Sequence, residues 1–183
     1  MNFLIDESVL TGKGANSTIS YVHHFFEKHG LGEKNAQLHA DNCGAQNKNS
    51  AFLWYYMWRV MSGLHVEIHC HFLLAGHTKF APDWCFGLLK QRTRRTFISS
   101  LFDIGTCVEE TASVNVADLV GLHDGTVLVS TYDWMNYLSQ HTRCNISRRT
   151  NLHTLFKYRF RFLCYCRPDQ LSNIETVVEF WYI

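Results

Sequence analysis

Two polar segments carry the residue types that chemistry needs. The first is HADNCGAQNKN, residues 39–49. It sets one carboxylate, Asp41, among the amides Asn42, Gln46, Asn47 and Asn49. Oxygen donors of this kind suit a hard divalent cation. The second is GHTKFAPDWCFG, residues 76–87, with an imidazole at His77 and a carboxylate at Asp83. Each has a structural alternative. Asp and Asn satisfy backbone donors in loops, and an acid in the first turn of a helix is favoured by free N–H groups and the helix dipole. Two carboxylates on neighbouring elements are what Mg2+- or Mn2+-assisted phosphoryl chemistry requires, with paired ions about 3.5–4 Å apart.

Other sets are less specific. His65, His69 and His71 alternate along one strand face and could bind zinc. Cys43 is a thiol beside Asp41, but nothing in the sequence orients a base toward it. Residues 90–95, KQRTRR, hold Lys90, Arg92, Arg94 and Arg95. Lys157, Arg159 and Arg161 alternate with apolar residues. Either basic set could track a phosphate backbone. A solvated sheet edge explains the second equally well.

The elements that must position these residues can be read from periodicity. Ser17–His29 has apolar residues at helical spacing, with Asn16 or Ser17 as its cap and Gly30 at its end. Ala36–Ala40 reads as a strand leading into Asp41. Ser50–Met61 is apolar nearly all round and reads as a buried helix. Leu64–Leu74 alternates cleanly, which predicts a strand with one apolar and one polar face. Asp83 to about Arg92 reads as a helix with Pro82 in its first turn. Asn2–Ile5, Thr96–Ile104, Val127–Thr131, Leu155–Cys166 and Val177–Tyr182 read as strands, and Tyr132–Gln140 as a short helix. The mixture predicts an α/β or α+β fold.

Composition narrows the class. The 183 residues are 46% hydrophobic and 14% aromatic with only 2 prolines, which excludes disorder. No apolar run approaches the roughly 20 residues of a membrane helix. The 7 cysteines form no CxxC pair. With no signal-peptide pattern at MNFLIDESVLTGKG, they are expected to be reduced thiols of a nuclear or cytoplasmic protein that is not secreted. Net charge is +1, yet residues 96–142 hold six acids and no Lys or Arg, and residues 143–167 hold seven bases and no acid. Such blocks can form a basic face on a neutral protein.

HADNCGAQNKNS followed by GHTKFAPDWCFGLLK resembles an uncharacterised family of transposase-derived domains in eukaryotes. GKGANSTISYVHHFF and YDWMNYL fit the same pattern. The resemblance implies an RNase H-like fold related to DDE transposases and integrases. It would form a single domain over 1–183, with a core at 1–105 and a strand-rich extension at 106–183. It implies that Asp41 follows the fourth strand of that fold and that Asp83 lies on the later helix. Both would act as catalytic carboxylates and Mg2+ or Mn2+ ligands. Asn42, Gln46, Asn47 and His77 match motif positions around them. Ala45 stands where the family has glycine, with Gly44 one place earlier.

The first carboxylate of such a site should lie well upstream of GKGAN. The chain is therefore expected to be N-terminally incomplete, lacking the first strand and its Asp. The implied ancestral activity is metal-dependent cleavage and strand transfer of DNA. The alternatives are a catalytically inactive nuclear module that binds DNA or a nuclear protein, and a decayed fragment. No membrane partner is expected.

Overall fold

The computed structural model describes residues 1–6, 8, 12, 14–40, 43, 47–72, 81–141, 157–161 and 175–179, with the backbone alone for 81–83, 157–161 and 175–179. In chain order the elements are β1 (Asn2–Leu4), α1 (Ala15–Lys28), β2 (Asn35–Ala40), α2 (Ser50–Met61), β3 (Glu67–Phe72), α3 (Ala81–Thr93), α4 (Leu101–Thr111), β4 (Ala117–Leu119), α5 (Trp134–His141), β5 (Lys157–Arg161) and β6 (Glu175–Glu179). Among the described residues, five helices and two small sheets give an α+β class, as the mixed periodicity predicts. It divides into two compact units, residues 1–12 with 78–131 and residues 13–77 with 132–183.

The second of these units holds a four-stranded sheet in the order β5-β3-β2-β6. Strands β2 and β3 run parallel, with Asn35 opposite Glu67 and Ala40 opposite Phe72. β6 is parallel to β2, and β5 is antiparallel to β3. The period-2 pattern explains the burial. Ala36, Leu38, Ile68, Cys70 and Phe72 enter the core, while Gln37, His39, Glu67, His69 and His71 occupy the other face, half-buried.

Ile19, Val22 and Phe26 of α1 join them, with Phe52, Tyr55 and Val60 of α2 and Trp134 and Leu138 of α5. Each large apolar side chain buried in this way contributes roughly 1.5–3 kcal/mol. The Tyr55 and Trp134 rings meet edge to face at 5.0 Å, which ties α2 to α5.

The starts of α1 and β3 differ from the sequence expectation. α1 begins at Ala15 with Gly14 as its cap, so Asn16 and Ser17 lie inside the helix. β3 begins only at Glu67. Leu64 and His65 instead wrap the end of α2, both donating backbone N–H groups to the Arg59 carbonyl. Gly63 makes this reversal possible with φ +72°, a left-handed conformation that costs glycine little.

In the other unit β1 and β4 pair in parallel, and α4 packs on both. Gly105 is the contact point. A Cβ there would sit 3.7 Å from Ala117 Cβ and 3.8 Å from Leu4 Cδ1, so the small residue lets α4 lie close to the strands. Residues 96–104 are not a strand. Ser100 and Asp103 form a capping box that starts α4 at Leu101. Residues 127–131 form no strand either. A single bridge, Gly121 with Val127, closes a tight turn in which Asp124 Oδ1 accepts the Thr126 N–H and Gly125 takes φ +87°.

Candidate functional site

The parallel register of β2 and β3 sets the geometry of the candidate site. Both strands finish at the same end of the sheet, Ala40 beside Phe72. Asp41 is the next residue after Ala40, and the segment leading to His77 follows Phe72. Asp41, Asn42, Gln46 and His77 themselves lie outside the described residues. The Asn47 and Lys48 N–H groups both donate to the Cys43 carbonyl at 2.9 Å. Asn47 is 5% exposed. Asn49 caps α2, its side chain accepting the Phe52 N–H at 3.1 Å. The QNKN run therefore ends in a helix cap, the structural role that loop amides often have.

Asp83 is the third residue of α3, in the other unit, and its side chain is outside the description. The basic residues at the end of α3 are better defined. Lys90, Arg92, Arg94 and Arg95 are all exposed. Arg92 is paired with Glu110 of α4. Among the described residues no ion pair holds Lys90, Arg94 or Arg95. On β5, Lys157 stands opposite His71, Arg159 opposite His69 and Arg161 opposite Glu67.

The three-histidine zinc set does not assemble. His69 Nε2 lies 2.7 Å from Glu67 Oε1, and the His39 and His71 rings stack at 4.7 Å across β2 and β3. His65 precedes the strand, is 4% exposed, and sits edge-on to Phe26 at 4.7 Å. Among the described residues no group of three or more His, Cys, Asp or Glu could hold a metal.

Two polar clusters were not anticipated. Ser20, fully buried in α1, donates to the Asn16 carbonyl at 2.7 Å. It also accepts the Tyr132 N–H at 3.0 Å and the Trp134 indole N–H at 3.1 Å. Asn16 donates to Asp133 at 2.9 Å and accepts the Met135 N–H at 2.9 Å. Asn16 and Ser20 of α1 thus clasp the segment at 132–135, which belongs to the YDWMNYL motif. No local periodicity reports such a pairing, because the partners lie more than a hundred residues apart. The second cluster surrounds Arg59, which is 3% exposed within the same unit.

The chain matches the family described as Domain of unknown function (DUF7869) over residues 7–162, and it belongs to that family. No curated protein and no solved structure matches it. Among the described residues no helix is long and apolar enough to cross a membrane.

Proposed function

We propose that this DUF7869 domain is a transposase-derived, RNase H-like module that grips DNA by its phosphates and offers Asp41 to a divalent cation. The observation that carries the reading is the parallel register of Ala40 with Phe72. Segments that leave the carboxyl ends of parallel strands are where α/β sheets bind ligands. Both motif segments follow such ends in the chain.

The donor set fits the ion. One carboxylate with amide side chains close to it in sequence suits Mg2+ or Mn2+ better than a soft metal. A bound ion of this kind supplies activation of a water or a 3′-hydroxyl toward a phosphodiester. Asp41 is the proposed ion ligand, and the family resemblance implies a carboxylate role for Asp83 as well. Asn42, Gln46, Asn47 and His77 occupy motif positions beside these carboxylates in the family resemblance. Lys90, Arg94 and Arg95, with Lys157, Arg159 and Arg161, neutralise phosphates. Arg92 contributes less, because Glu110 already neutralises it. Binding is the proposed present role, and cleavage and strand transfer the ancestral one. A nuclear location follows from the DNA partner.

The test is a Mn2+ titration of the full chain followed by water-proton relaxation. Asp41→Asn and Asp83→Asn should each weaken binding by at least about tenfold, the loss of one charged ligand from a hard-cation site. If both variants bind Mn2+ like the wild type, the cation assignment is wrong. DNA affinity that falls steeply with salt but ignores the metal would leave the inactive DNA-binding module. A nuclear protein partner becomes the better reading if no DNA binds.

A further inference from the structure

Phe97 is 88% exposed, more than any other large apolar residue among those described. Leaving it in water forgoes the favourable transfer that burial of a phenyl ring gives. Its exposure is not the looseness of a free end, because the connector that carries it is tied on both sides. Toward α3, the Arg94 N–H donates to the Lys90 carbonyl at 3.3 Å and the Arg95 N–H to the Arg92 carbonyl at 2.9 Å. Thr96 Oγ1 donates to the Arg92 carbonyl at 3.0 Å. Toward α4, Asp103 Oδ2 accepts the Ser99 N–H, the Ser99 hydroxyl and the Ser100 N–H at 2.8, 3.0 and 2.9 Å. Ser100 Oγ returns the contact, accepting the Asp103 N–H at 3.3 Å. Helices α3 and α4 pack against each other and fix the two ends. The phenyl ring is held out into solvent by a braced backbone.

The neighbouring charges decide what such a ring can meet. Arg94 and Arg95 are exposed and carry no ion pair among the described residues. The nearby acids are engaged, Glu110 with Arg92 and Asp103 in the cap of α4. An apolar protein partner would cover the ring and leave two arginines in need of acids. A nucleotide supplies a flat aromatic face and a phosphate anion together. A base already paired and stacked in a duplex has no free face, so the partner is single-stranded or locally unpaired.

We infer that the α3–α4 connector is a stacking site for an unpaired nucleobase, with Phe97 supplying the ring and Arg94 and Arg95 engaging the adjoining phosphates. The inference rests on the DNA-binding reading and specifies the form of DNA that unit recognises. Base–aromatic stacking tolerates any base, so recognition here is of strand state rather than sequence.

Fluorescence anisotropy with the full chain tests it, using labelled oligo-dT and a duplex of equal length. Phe97→Ala should weaken oligo-dT binding about tenfold, within the range one stacked base supplies. It should leave the salt dependence and the duplex affinity unchanged. Phe97→Trp should retain affinity, and oligo-dT should quench the added indole. Arg94→Gln with Arg95→Gln should reduce the single-strand salt slope by about 1.4, at roughly 0.7 per phosphate contact.

Phe97→Ala binding both DNAs as the wild type does would overturn the stacking site and leave DNA binding intact. No binding to either DNA would overturn both proposals. Conversion of an oligomer to a monomer by Phe97→Ala, with DNA affinity unchanged, would assign the ring to a second copy of the chain instead.

Discussion

Arg59 Nε donates a hydrogen bond to His65 Nδ1 at 3.2 Å, across the reversal that closes α2. The same guanidinium donates to the Tyr55 hydroxyl at 3.0 Å and lies 3.2 Å from His23 Nδ1. Glu27 stands 3.6 Å away and is 55% exposed, so it neutralises the charge only in part. The Phe26 ring lies 4.4 Å from the guanidinium carbon. A buried cation is tolerated when its donors are satisfied. Here neutral imidazoles and a phenol do most of that, and a neutral partner must stay neutral.

Acid should therefore unfold this unit through His65. Burial first, then Arg59, lowers its pKa from 6.5 to about 4. His23 is lowered by the same two causes in the same order. The folded state then binds protons more weakly than the unfolded chain. The stabilisation is complete above about pH 6.5 and is lost as pH falls toward 4. The expected loss from His65 is roughly 2 kcal/mol by pH 4, after allowance for solvent entering as the ring charges. Urea titrations at several pH values measure it. His65→Gln should lower stability at neutral pH and flatten the slope below 6.5. An unchanged slope would mean that other groups carry the acid response.

Tyr55→Phe should be more damaging than its size suggests. The hydroxyl is fully buried and accepts from the Arg59 guanidinium. Hydrogen bonds to charged groups are worth about 1.5–3 kcal/mol, and a loss in that range is expected. Thermal melts of the two proteins compare them directly. A change below about 0.5 kcal/mol, the level of an ordinary surface substitution, would show that water replaces the phenol at Arg59.

Ser20→Ala isolates the clasp between the two flanking motifs. It removes an acceptor from the Tyr132 N–H and the Trp134 indole N–H inside the unit. An unsatisfied buried donor costs roughly 1–3 kcal/mol, so a loss of about 2 kcal/mol is expected. Affinity for DNA at a temperature well below the melt should be unchanged, because neither partner is among the proposed DNA contacts. A variant that melts normally but loses DNA would move Ser20 from the scaffold to the site.

These clusters mark what the sequence could and could not report. Strand β2, helix α2 and the polar alternation of β3 were legible, because side-chain period and burial coincide along each element. Residues 96–104 misled because Phe97, Ile98, Leu101 and Phe102 are apolar enough to pass for a strand. The deciding signal was local and present, Ser100 followed three residues later by Asp103. Strand β4, only three residues long, has too few residues to show a period. The Arg59 and Ser20 clusters were invisible for another reason. A buried polar residue identifies itself only through partners brought together by folding. At the candidate site, the sequence placed Asp41 after a strand, and the parallel register of that strand came from the structure.

Asn49 separates the two readings of the polar loop most directly. It belongs to the amide run that could surround a cation, yet its side chain caps α2. Asn49→Ala should cost about 1 kcal/mol, the usual loss of a helix cap. Asn49→Asp should retain stability, since Asp is an equally good cap and its charge opposes the positive end of the helix dipole. Both variants should bind Mn2+ as the wild type does, because the oxygen that would serve the ion is already held by the Phe52 N–H. Paired melts and Mn2+ titrations measure the two effects on one sample. If Asn49→Ala melts normally while Mn2+ binding falls tenfold, the oxygen belongs to the cation, and the start of α2 must be satisfied by another group.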